Sequence, residues 1–106
     1  MMSRKDEIDP ETRRENAMRP SQYLGYDHHR LALYFIGREA LEPAEIEFKR
    51  AVWLNPYQNL FRYNLAKCLC MRKKFTEARQ VLGELLQLWP DDKRAQDLLF
   101  ELKNKV

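Results

Sequence analysis

Apolar residues in this chain recur at helical spacing, and the pattern itself repeats. From Tyr23 onward, small and large apolar positions fall three or four residues apart with charged residues between them. The stretch from about Leu24 to Gly37 predicts a first helix, with Leu31, Leu33, Tyr34 and Phe35 giving it a broad apolar side. Gly37 and the step Leu41-Glu42-Pro43 mark a turn. Pro43 suits the first turn of a second helix, where its missing N–H costs little. That helix is expected to run to about Leu54 with Ala44, Phe48, Ala51 and Val52 inward. Asn55-Pro56 ends it, because the residue before a proline is pushed out of the helical region. A third helix covers about Gln58 to Met71, followed by the charged turn Arg72-Lys73-Lys74. Thr76 is placed to cap a fourth helix that stops at Trp89-Pro90. Asp91 or Asp92 caps a fifth, from about Lys93 to Asn104, with Ala95, Leu98, Leu99 and Leu102 inward. Period-two alternation and Asn-Gly hairpin signals are absent, so the expected class is all-α.

Pro56 and Pro90 stand 34 residues apart, and the residues before them correspond. Leu31 pairs with Leu65, Ala32 with Ala66, Phe35 with Leu69, Ala44 with Ala78, Phe48 with Leu82, and Ala51 with Leu85. A fixed period of this size, filled with helix formers, marks stacked helix-turn-helix units. Alanine at 32, 44, 66 and 78 lets paired helices approach to about 8–9 Å, while the larger residues at 35, 48, 69 and 82 fill the gaps.

These residues resemble the tetratricopeptide repeat, a family of 34-residue helix pairs. The resemblance covers residues 25–58 and 59–92, with residues 93–106 similar to the helix that closes such arrays. The second unit is the better copy: Tyr63-Asn64-Leu65-Ala66, Phe75, Glu77-Ala78, Leu82, Leu85 and Pro90 fall where the family pattern has them. The first has His28 in place of the usual tryptophan and Glu39 in place of the usual turn glycine. The fold implied by the resemblance is a right-handed α-solenoid of antiparallel helix pairs occupying residues 21–106.

Composition narrows the class of function. At 106 residues the chain holds one domain at most. No apolar run approaches the ~20 residues needed to cross a bilayer. The N-terminus lacks the apolar stretch of a secretory signal, and Cys68 and Cys70, two apart, offer no disulfide framework, so a cytoplasmic protein is expected. Residues 1–20 balance five Lys/Arg against five Asp/Glu with little apolar content, and are expected to form a charged, flexible arm. The net charge of +3 comes from a surplus of about four cations in residues 62–106, too thin a bias for a nucleic-acid binder. Arg72-Lys73-Lys74 reads as a solvated turn.

Candidate chemistry is sparse. Residues two apart on a helix point about 200° away from each other, so Cys68 and Cys70 do not chelate one ion. Cys68 reads as a small buried hydrophobe. His28 and His29 diverge by about 100° with no further histidine to complete a set. His28 is expected to fill part of a core slot and His29 to face the inner groove of the array. No acid, base and nucleophile cluster stands out, so neither catalysis, nor a cofactor, nor a metal is expected.

The resemblance implies instead a protein-interaction module, an adaptor or scaffold whose concave groove takes a peptide or helix. The implied groove residues are Tyr26, His29, Arg30, Leu33, Ile36, Tyr63, Asn64, Lys67, Cys70 and Arg94, joined by Asp97 and Glu101 of the closing helix. Some family members clamp a chaperone-tail carboxylate; the matching positions here hold His29, Leu33, Asn64, Arg94 and Leu98, of which only Asn64 is identical. An alternative is a structural subunit that assembles with itself, because two units leave edges of Leu31, Tyr34 and Phe35 uncovered. Either a second copy or a fold-back of residues 18–25 would cover them.

Overall fold

The computed structural model describes residues 22–104, all of whose regular structure is helical. Five helices follow one another: α1 (Gln22–Gly37), α2 (Leu41–Leu54), α3 (Asn59–Met71), α4 (Phe75–Leu88) and α5 (Lys93–Lys103). The expected arm at 1–20 lies outside the described residues. The proposed fold-back of residues 18–25 is corrected in part, since 22–25 continue α1 as its first turn.

Each helix packs on the next in sequence. The first two run antiparallel: a Cβ at Gly25, near the start of α1, would lie 3.2 Å from Asn55 Cβ, just past the end of α2. The next pair folds back likewise, since Asn59 Nδ2, at the start of α3, donates to Asp92 Oδ2 beyond the end of α4 at 2.8 Å.

The 34-residue period reappears in the backbone. Glu39 (φ 59°) and Lys73 (φ 64°) both take the left-handed conformation, although neither is glycine. Ala40 N–H donates to Phe35 O at 2.9 Å, and Lys74 N–H to Leu69 O at 2.8 Å, the same wide turn closing α1 and α3. Asn55 and Trp89 end α2 and α4 with matching dihedrals, near φ -139° and -132°. Gly37 ends α1 as expected, without taking a positive φ.

The core follows the paired positions. Ala32, Ala44, Ala66 and Ala78 are wholly buried, with Phe48, Leu69, Leu82 and Leu85 packed between them. Ala95 and Leu102 of α5 close the cluster, with Leu98 and Leu99 half-buried against it. Asp92 caps α5 by accepting from Ala95 N–H at 3.1 Å. Thr76 does not cap α4. That helix begins one residue earlier, because the turn through Lys73 already redirects the chain, and Thr76 Oγ1 accepts instead from Arg79 Nη2.

Candidate functional site

The α1–α3 face carries most of the predicted groove residues. Between these helices lies a shallow cleft of about 60 Å³, lined by Leu33 and Ile36 of α1, Phe48 of α2, and Asn64, Lys67, Cys68 and Met71 of α3. Leu33 and Met71 are exposed at its rim, 45% and 49% respectively. Beside it, Tyr63 is flanked by two cations: Lys67 Nζ stands 5.5 Å from the ring centre and the Arg94 guanidinium of α5 stands 4.8 Å from it. Lys67 has no carboxylate partner among the described residues, whereas Arg94 lies 3.8 Å from Asp92. Three helices thus place an apolar slot and a cation-flanked aromatic side by side.

Tyr26 is exposed at the other end of α1. Its ring meets Phe61 edge-on at 5.1 Å, and its hydroxyl accepts from Gln58 Nε2 at 2.7 Å. Arg30 is paired to Asp27 one turn away at 2.5 Å. Asp97 is likewise paired within α5, to Lys93.

Three placements differ from expectation. His29 does not open into the groove: it is buried, stacked on Phe61 at 4.6 Å and tilted against Phe48 at 5.6 Å. Asn64 Nδ2 lies 2.9 Å from His29 Nε2, which fits an amide N–H donating into a neutral imidazole. Burial pushes the His29 pKa down, consistent with that form. His28, expected in a core slot, is half-buried and paired at 2.5 Å with Glu47. Adjacent helix positions differ by about 100°, and Phe48 of α2 and Phe61 of α3 both lie on the side of residue 29. Cys70 is half-buried against the core rather than open in the groove, and it is Cys68 that lines the cleft. Burial pushes the Cys68 thiol up, and its Sγ lies 3.6 Å from Leu41 O.

One cluster has no signal in the linear sequence. Glu45, 4% exposed, lies under three cations: Arg72 Nη1 at 2.6 Å, Lys49 Nζ at 2.8 Å and Lys74 Nζ at 3.2 Å. Burial alone would raise its pKa, but hydrogen bonds from Lys49, Arg72 and Lys74 overcome that and hold it near about 2. Arg72 and Lys74 belong to the turn read as solvated; they tie α3 to α2 instead. Lys49 also reaches Glu77 at 2.9 Å, linking α2 to α4.

Among the described residues, no three His, Cys, Asp or Glu side chains stand close enough to hold a metal ion, and no helix is long and apolar enough to cross a membrane. No protein-family model matches the chain, nor does the sequence of any protein of curated function.

Proposed function

We propose that this chain is a non-catalytic protein-interaction module that lays a peptide or short helix along the face of α1, α3 and α5. The observation that carries this reading is the pairing of an open apolar slot with a tyrosine held between Lys67 and Arg94. Such a surface suits a segment with one aliphatic or aromatic anchor beside an acidic group. The tetratricopeptide resemblance supports the same reading, since a solenoid of that family would turn this face inward. The partner is a protein and the setting cytoplasmic.

Fluorescence anisotropy with a labelled library of acidic, amphipathic 10–15-residue peptides tests this. Micromolar binding to a subset, weakened ~tenfold or more by Tyr63→Ala with Lys67→Glu, supports the groove. Binding that survives both substitutions, or no binding by any peptide, removes it.

A further inference from the structure

Among the described residues, one face of α1 is left uncovered in a manner the second helix pair explains. Leu24, Asp27, Leu31, Tyr34 and Arg38 are spaced three and four apart and so form one narrow stripe. Leu24, Leu31 and Tyr34 are 47%, 41% and 53% exposed. Thirty-four residues later, Phe61, Leu65 and Cys68 occupy the places of Asp27, Leu31 and Tyr34, and all three are buried, Phe61 against His29 of α1 and Cys68 against Leu41 of α2. Arg72, the counterpart of Arg38, is neutralised there by Glu45 of the pair ahead. Arg38 has no carboxylate partner among the described residues, and its guanidinium lies 4.8 Å over the Tyr34 ring. The stripe therefore has the composition of a surface that packs against something, with one cation unneutralised.

The order of residues along the stripe says what that something is. Asp27 and Leu31 stand as far before its midpoint as Arg38 and Tyr34 stand after it. Turning a second α1 end for end against the first brings Leu31 onto Tyr34 and Asp27 onto Arg38, and the two-fold axis repeats both contacts. Apolar meets apolar at the centre, and opposite charges meet at both flanks, where Asp27, exposed and paired within its own helix to Arg30, also takes the Arg38 of the other copy.

We propose that this stripe is a two-fold interface with a second copy of this chain, α1 packing antiparallel on the α1 of the partner copy. The interface is independent of the groove, because Leu33, Lys67 and Arg94 take no part in it. One helix pair of this length, about 24 Å, falls at the low end of stable interface size, so the dimer dissociates in the micromolar range.

Sedimentation equilibrium of the full chain from 1 to 500 µM tests the proposal, with circular dichroism confirming that each variant remains helical. The expected result is a concentration-dependent rise from 12.8 kDa toward twice that mass. Leu31→Glu weakens association at least ~tenfold. Asp27→Arg and Arg38→Asp each weaken it, and the double exchange restores it to within ~threefold of the parent, because the ion pairs re-form with reversed polarity. Lys67→Glu, in the groove, leaves it unchanged. A monomer at every concentration overturns the proposal, as does a dimer indifferent to Leu31→Glu. A double exchange weaker than either single one overturns the antiparallel register.

Discussion

Replacing Glu45 by glutamine keeps the shape of the side chain and removes the charge that Lys49, Arg72 and Lys74 surround. In the folded chain the carboxyl is held near about 2 against an ordinary 4.5. That difference corresponds to about 3 kcal/mol of stability at neutral pH, at 1.36 kcal/mol per unit. The three cations are between 24% and 47% exposed, so solvent screening places the expected loss at about 2 kcal/mol. The sign follows from the direction of the shift. A carboxyl whose folded pKa is depressed gives stability that is complete above the unfolded value of 4.5. That stability is lost as pH falls through the folded value near 2. Glu45→Gln should therefore cost about 2 kcal/mol at pH 7 and progressively less between pH 4.5 and 2, where the parent loses the same charge. Urea unfolding of both proteins at half-unit steps from pH 7 to 2 reads the difference directly, since every other titrating group is common to both. A variant as stable as its parent at pH 7, or an offset constant across the whole range, would refute the idea that this cluster clamps α3 onto α2.

Two further outcomes test the repeat packing. Ala78→Arg forces a long cation into a position with no exposed surface and should cost more than ~3 kcal/mol, or prevent folding; an unchanged thermal melt refutes the close α3–α4 contact. Lys73→Gly relieves a left-handed backbone at φ 64° and should stabilise by about 0.5–1 kcal/mol net of the entropy glycine adds to the unfolded chain. Calorimetry should show a melting temperature raised by a few degrees, and a lowered one would mean that Lys73 makes a contact worth more than its strain.

The helical class of the described residues, their five helices and the alanines at 32, 44, 66 and 78 were legible in the linear chain. Helical spacing is a local property, and a repeat displays each local rule twice. Helix ends set by proline or by an Asx cap were legible too, as at Asn55 and Asp92, because the cause sits within a residue or two of the effect. Thr76 was misread because the helix start depended on the left-handed turn at Lys73, which nothing in a lysine announces. The orientations of His28 and His29 needed the position of α3, since which of two adjacent positions points inward is decided by the helix laid against them. Glu45 lay furthest beyond the sequence: its cations are four, 27 and 29 residues away, and only the folding of α3 onto α2 brings them together. Leu31 and Leu65 show the division most plainly. Their residue type and spacing are identical, yet one is 41% exposed and the other 5%, because among the described residues a helix pair packs ahead of Leu65 and none ahead of Leu31.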